Sequence, residues 1–396
     1  MKLQTQSSKA LAAALAKSAK CISNKNAMAI LDCVLLMKRD DNFVFVTSNT
    51  FAQLTIPAPL SVVEGKFEGK VALPVAVISA FLSTLPDCVI TFDFAENGSH
   101  SLTMEYCTGD GDKVKNGKVT VAYFDGTDFP FIKAPAEDAT HIQLPMAFFG
   151  KVLERAEKFV GHDELRAVMN CLCLDLAEDF SQVVAVASDT RKFIKFAYTN
   201  DPKTGGGDFY RGGKAGIMLI HSQYFRIMSA FDGCESVEIE CDGDMVRMTS
   251  GDIEFVCKSV DGKYPNYKGA IPAECPNFIC VDKKEMLEVI KRISLFGTTD
   301  SKLVVLRKDG MFLNVSAQNV DFAQAAEDQA LILDSQCPDG FRIGFNAENL
   351  ASCVSATSTD SVRIKLTDAS RAAVLVADEP SPSSLTLCVP LLLNNE

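Results

Sequence analysis

The sequence predicts an α+β fold built from three similar domains in tandem, each with two helices and several antiparallel strands. Three observations predict it. An amphipathic helix pattern with basic residues on its polar face recurs at 7–22, 145–160 and 282–296, at nearly equal intervals in a chain of 396 residues. A second, more apolar helix pattern follows each of these, at 74–85, 222–231 and 346–356. Each second pattern runs into a short alternating strand: Val89-Ile90-Thr91-Phe92, Val237-Glu238-Ile239-Glu240 and Val362-Arg363-Ile364-Lys365. A repeat this long is a whole domain, far beyond the ~20–50 residues of a solenoid unit. The expected domains are 1–134, 135–272 and 273–396.

The middle basic helix shows the pattern most clearly. At 100° per residue, Lys151, Arg155 and Lys158 fall on one arc, and Phe149, Val152, Leu153, Ala156 and Val160 on the opposite side. In the first helix Leu11, Leu15 and Ile22 oppose Lys9 and Lys20; in the third Val289, Ile290 and Ile293 oppose Lys284 and Lys291. One face enters a core and the other offers cations to solvent. Between the helices, 42–56 and 171–187 are rich in β-branched and aromatic residues and read as strands. Asn97-Gly98, Asn116-Gly117, Asp242-Gly243 and Asp309-Gly310 read as turns. The strands repeat as well: Val46-Thr-Ser-Asn-Thr50 matches Val186-Ala-Ser-Asp-Thr190. Asp125-Gly-Thr-Asp-Phe-Pro130 closes the first repeat as Asp261-Gly-Lys-Tyr-Pro265 closes the second.

The three basic helices hold ten Lys and Arg against five Asp and Glu, within a chain of net charge −12. Positive charge is therefore concentrated on the repeated element, whereas an evenly acidic chain would be a poor nucleic-acid binder. The 47% apolar content suffices for real cores. No apolar run reaches membrane-spanning length, and no secretory signal is readable at the N-terminus; a cytoplasmic protein without membrane contact is expected. Fourteen cysteines form no CxxC pair, and four histidines are scattered. Free, mostly buried thiols are expected, with no metal site and no cofactor. Cys171 and Cys173 alternate on one face of a strand.

Candidate catalytic sites fail on their spacing. Thr204-Gly-Gly-Gly-Asp-Phe-Tyr-Arg-Gly-Gly-Lys214 suggests a phosphate loop, but Lys214 is not followed by Ser or Thr entering a helix. Cys107-Thr-Gly-Asp-Gly-Asp-Lys113 lacks the ligand spacing of a calcium loop. No nucleophile, base and orienting acid can be assembled, so no enzyme is expected. The C-terminal run Leu387-Cys-Val-Pro-Leu-Leu-Leu393 reads as a closing strand, or as the wall of a groove that receives a partner peptide.

Several motifs resemble those of the bacterial DNA polymerase III β-subunit, or sliding clamp, family. Ser259-Val-Asp-Gly-Lys-Tyr-Pro-Asn-Tyr-Lys268 resembles the end of its middle domain. Arg342-Ile-Gly-Phe-Asn346 and Val362-Arg-Ile-Lys-Leu-Thr-Asp368 resemble its third domain, and Val389-Pro-Leu391 its closing motif. The resemblance covers essentially the whole chain. It implies a head-to-tail homodimeric ring with pseudo-sixfold symmetry that encircles duplex DNA without reading its sequence and confers processivity on the replicative polymerase. It further implies a pocket between the second and third domains that takes short peptides of the polymerase, the clamp loader and repair proteins. The matching positions are Met169, Ser188, Thr190, Arg191, Lys192, Phe193, Pro265, Ala270, Ser370, Leu387, Val389, Pro390 and Leu391. Implied DNA-facing residues are Lys9, Lys17, Lys20, Lys25, Lys151, Arg155, Lys158, Lys284, Lys291 and Arg292. Leu295, Phe296 and Val119 are the implied ring-joint residues. The chain departs from the family at Thr190-Arg191-Lys192, where Gly-His-Arg is frequent, at Leu392, where Arg is common, and at Ala167 and Val168, where some members have tyrosines. Two other readings stay open: an enzyme or carbohydrate-binding protein using the loop near Gly206, and a monomeric scaffold that binds only proteins.

Overall fold

The computed structural model describes residues 1–396 except 24–25, 96–98, 110–114, 203–205, 320–321, 380–383 and 394–396. Its contacts form two compact units. The first comprises Met1–Ala147, Tyr210–Gly213 and Gln223–Ser259; the second comprises Phe148–Phe209, Lys214–Ser222 and Val260–Glu396. The middle repeat contributes to both because strands pair across repeat boundaries. In the first unit Ala52–Pro57 pairs with Ile253–Lys258, inside a ten-stranded sheet. In the second, Lys192–Thr199 pairs with Ser384–Cys388, inside a twelve-stranded sheet. The pairings are antiparallel throughout the described strands.

Five α-helices are described: α1 Ser8–Ala19, α2 Val75–Ser83, α3 Met146–Ala156, α4 Lys283–Ser294 and α5 Ala347–Ser355. Their starts follow from capping. Ser7 accepts from the Ala10 N–H, Asp282 from the Glu285 N–H, and Asn346 from the N–H groups of Glu348 and Asn349. Each such cap stabilises by about 1 kcal/mol. Leu11 and Leu15 of α1, Phe149, Val152, Leu153 and Ala156 of α3, and Val289, Ile290 and Ile293 of α4 are buried, as their spacing requires. In the first unit α1 packs on α2; in the second α4 packs on α5.

The repeat extends to backbone strain. Thr50 and Thr190 both hold positive φ, at 72° and 78°. In both turns the preceding Asn49 or Asp189 side chain accepts two backbone N–H groups further on, and Ser48 or Ser188 accepts the threonine N–H. These side chains stand in for the bonds that the left-handed residue cannot make. Phe129 and Tyr264, which precede the closing prolines, are both buried.

Two expectations need correction. The second helix of the middle repeat, Ser222–Phe231, is a 3-10 helix. Its buried residues explain this: Tyr224, Ile227 and Ala230 form one row and Phe225, Met228 and Phe231 another. Both have period three, which the 3-10 helix stacks directly. Asn116-Gly117 is no turn but lies within strand Lys115–Ala122, opposite Cys107 and Tyr106. A Cβ on Gly117 would lie 2.3 Å from the Tyr106 ring, so the glycine admits a close cross-strand approach. The C-terminal run does supply a closing strand, Ser384–Cys388, which lies between Lys192–Thr199 and Ala373–Ala377. Asp242-Gly243 and Asp309-Gly310 do turn, with φ of 102° and 55° at the glycines. Asn97-Gly98 lies outside the described residues, as does most of the 107–113 loop. Among the described residues no helix is long and apolar enough to cross a membrane.

Candidate functional site

The positions matched to the peptide pocket all lie in the second unit, and strand register gathers their centre. Ser188 stands opposite Phe193, Phe193 opposite Leu387, and Leu387 opposite Val374. Residues directly opposite on an antiparallel pair share a face. Phe193, Leu387 and Val374 form one buried apolar cluster with Cys171, Cys173, Tyr264 and Tyr267. The Tyr267 ring stacks on Phe193 with centroids 6.0 Å apart. Its hydroxyl donates to the Asp175 carboxylate at 2.5 Å, and Lys268 pairs with the same carboxylate at 3.0 Å. Burial and then the Asp175 contact push the Tyr267 hydroxyl well above the ordinary tyrosine range. Burial likewise pushes the Cys171 thiol up to about 12 and raises Cys173. This cluster is therefore neutral and apolar.

The rim is polar and exposed. Asp189 accepts the N–H groups of Arg191 and Lys192 and pairs with the Lys192 ammonium at 3.3 Å. Val389 donates its N–H to the Arg191 carbonyl at 2.9 Å, and Leu391 to the Gly344 carbonyl at 2.8 Å. These bonds hold the C-terminal residues beside that cluster while Val389 stays 44% exposed. Pro265, Ala270, Thr190, Arg191 and Ser370 are exposed; Pro390 and Met169 are buried. Asp368 fixes the Ser370 turn by accepting both its N–H and its hydroxyl. An apolar cluster bordered by exposed apolar and polar groups has the make-up of a recognition surface. Tyr264, Tyr267 and Val374 went unassigned in the sequence. The two tyrosines stood in the GKYPNYK motif, but no spacing rule places them over Phe193.

The helix cations divide by partner. Lys9, Lys151, Lys158, Lys284 and Lys291 are exposed, and Lys17 and Arg155 half-buried. None of the seven makes an ion pair among the described residues. Arg292 differs, pairing with Asp328 at 2.8 Å. Lys20 donates to the Ser229 hydroxyl, in a cleft of about 320 Å³ that Arg226 also lines. Arg226 escaped the sequence reading because it lies on the second, less basic helix. Lys283 turns inward to the Thr357 carbonyl at 2.7 Å. Burial and then the nearby Arg155 hold its pKa below the ordinary lysine range, so cations of the second and third repeats approach each other. Lys25 lies outside the described residues.

Several strand edges are open among the described residues, and two of them lie on long strands. Lys115–Ala122 pairs only with Ser101–Thr108. Gln324–Gln336 pairs over 324–331 with Phe312–Asn319 and meets Asn277–Asp282 only from 332 onward. Val119 is half-buried on the first edge strand. Leu295 and Phe296, at the end of α4, are 77% and 41% exposed.

No cluster of three or more His, Cys, Asp or Glu suited to a metal occurs among the described residues, and all fourteen cysteines are free. The glycine-rich loop leads into strand Tyr210–Gly212, which pairs with Thr140–Pro145. Gly213 there approaches the Thr140 backbone too closely for a side chain. These glycines serve strand addition; 204–205 lie outside the described residues.

Residues 268–390 match the model of the family described as DNA polymerase III beta subunit, C-terminal domain. The beta sliding clamp of Rickettsia bellii (strain RML369-C) is 22% identical over 97% of each chain. That of Pseudomonas aeruginosa is 20% identical over 71% of this chain and 73% of its own. Among solved structures, a sliding clamp from P. aeruginosa superposes with a TM-score of 0.84 at 18% identity, covering 99% of this chain and 100% of that one. The beta subunit of DNA polymerase from Streptococcus pyogenes superposes with a TM-score of 0.85 at the same identity and coverage. The resemblance read from the motifs is borne out: the C-terminal third matches the β-subunit family, and the whole chain has the three-domain α+β fold of the bacterial sliding clamps.

Proposed function

We propose that this chain is a DNA sliding clamp. Two copies join head to tail in a ring, the ring encircles duplex DNA, and it tethers the replicative polymerase without catalysing a reaction. The observation that carries this reading is the recurrence of cations without ion pairs on α1, α3 and α4, among the described residues. Arg39, Arg247, Arg307, Lys308 and Arg363 on the sheets are paired with carboxylates. The exposed helix lysines are left unpaired among the described residues, in a chain of net charge −12. Unpaired cations on one repeated face suit phosphates, which bind without regard to sequence and exchange freely. Retention is then topological, so the contacts can stay weak and the ring mobile.

Three domains per chain, 1–134, 135–272 and 273–396, make six in the ring, and equal head-to-tail joints close when their rotations complete a circle. Two long open strand edges support such a joint: Lys115 and Lys118 on one complement the exposed Glu327 on the other in charge, and Leu295 and Phe296 supply apolar area beside it. The groove over Phe193 and Leu387 would take short apolar peptides of the polymerase, the clamp loader and repair proteins in the cytoplasm. The test is retention on DNA. Chain assembled on a nicked circular plasmid should co-elute with it in moderate salt and leave when the plasmid is cut to a linear form. Equal retention on both forms would show binding without encirclement.

A further inference from the structure

The sheet face under the proposed peptide groove does not end at Leu387. Register continues the same transverse row: Leu387 stands opposite Val374, Val374 opposite Lys365, and Lys365 opposite Phe278. Beyond Val374 the row enters a separate cleft of about 710 Å³. Phe278 and Val374 contribute to its floor, and Ile271 and Pro272 to one wall. Ile271 and Val374 also pack in the cluster with Phe193 and Leu387, so groove and cleft share a wall.

The charges in the cleft are unevenly satisfied. Arg363 lies 4.2 Å over the Phe278 ring and pairs with Asp378 at 2.7 Å and Asp334 at 3.2 Å. Arg363 in turn holds the Asp378 carboxyl below the ordinary range. Those three groups are occupied with one another, and Glu379 sits exposed at the rim. Lys365 is half-buried, and its ammonium has no hydrogen bond or ion pair among the described residues. A cation partly withdrawn from water with no partner favours an anionic ligand group.

We infer that this cleft receives the flank of the same partner peptide, with an acidic side chain of that flank on Lys365. The inference rests on reading the Phe193–Leu387 groove as a peptide site. From Phe193 to Lys365 is three strand spacings, roughly 14 Å at ~4.8 Å each, which about four extended residues span at ~3.3 Å apiece. The partner therefore carries Asp or Glu about four residues from its apolar anchor.

The test compares synthetic peptides by fluorescence anisotropy on the full chain: a short core with two adjacent leucines, and the same core extended at either end by a flank carrying Glu, Gln or Lys at the position over Lys365. One Glu-flanked peptide should bind about three- to fivefold tighter than the core, and its Lys version no tighter. Lys365→Ala should erase that gain and leave core binding as it was. Lys365→Glu should shift the preference to the Lys-flanked peptide, a reversal that loss of folding cannot produce. Equal affinity for all flanks, or a Lys365→Ala loss shared by core and extended peptides, overturns the inference. Failure of the core to bind the wild type, or core binding that survives Phe193→Ala, overturns the groove reading itself and the flank with it.

Discussion

Replacing Leu295 and Phe296 with glutamate should convert the ring into monomers, and the size of the effect follows from exposure. The two side chains are 77% and 41% exposed. Burying a whole Leu or Phe is worth ~2–3 kcal/mol, so the exposed parts amount to about 1.5 kcal/mol for Leu295 and about 1 kcal/mol for Phe296. A head-to-tail ring of two copies has two equivalent joints. Removing both side chains at both joints costs about 5 kcal/mol of association, which raises the dimer Kd by between about three and four powers of ten. The introduced carboxylates add a desolvation cost in the same direction. Sedimentation velocity over a wide concentration series should give twice 42.9 kDa for the wild type and 42.9 kDa for the variant. Leu165→Glu is the control, since Leu165 is 94% exposed and lies on neither of the two edge strands. A wild type that stays monomeric at every concentration would refute the ring. A Leu295→Glu/Phe296→Glu variant that dimerises like the wild type would refute the joint assignment, and so would a Leu165→Glu variant that dissociates equally.

Two further outcomes follow from the charge and thiol chemistry. Changing Lys151, Arg155 and Lys158 to glutamine should lessen the slope of log K against log salt for duplex binding by about 0.9 for each phosphate no longer neutralised; an unchanged slope would place these side chains away from the DNA. Native alkylation at pH 8 should mark the exposed Cys107 while sparing Cys21 and Cys171, whose burial pushes both up to about 12. The thiolate is the nucleophile, and those two remain protonated across the working range. Peptide mapping that finds Cys21 or Cys171 modified as fast as Cys107 would contradict the packing around them.

The sequence was legible where one residue's role is local. Ser7, Asp282 and Asn346 start helices because a short oxygen-bearing side chain satisfies nearby N–H groups, which a single window reveals. The match of Val46-Thr-Ser-Asn-Thr50 with Val186-Ala-Ser-Asp-Thr190 carried even the left-handed threonines, because Ser and Asn or Asp fold that turn by themselves. Legibility failed where a partner strand decides. Asn116-Gly117 has turn chemistry, but its fate is set by Tyr106, whose ring needs the space a side chain would fill. The proposed peptide groove was legible in one wall, the apolar C-terminal run, and otherwise only through resemblance. Its centre joins Ser188, Phe193, Leu387 and Val374 across strands far apart in the chain, and hydrophobic pattern alone does not reveal register between distant strands.

The helix lysines also stand where folding alone would not put them. Lys9 lies in the first turn of α1, which has no acidic residue, and Lys284 in the first turn of α4. The N-terminal end of a helix carries the positive end of its dipole, so each lysine there costs about 0.3–1 kcal/mol. Neither recovers that cost through an ion pair among the described residues. Lys9→Gln and Lys284→Gln together should therefore raise the urea midpoint, by up to about 2 kcal/mol of unfolding free energy, while weakening duplex DNA binding and its salt dependence. The opposite signs are the diagnostic feature. A change that lowered stability would mean these side chains hold the fold through interactions beyond charge. A change that raised stability and left DNA binding intact would mean the cationic faces serve some ligand other than the duplex. Only stabilisation coupled to weaker DNA binding agrees with cations placed for phosphates at the expense of their own helices.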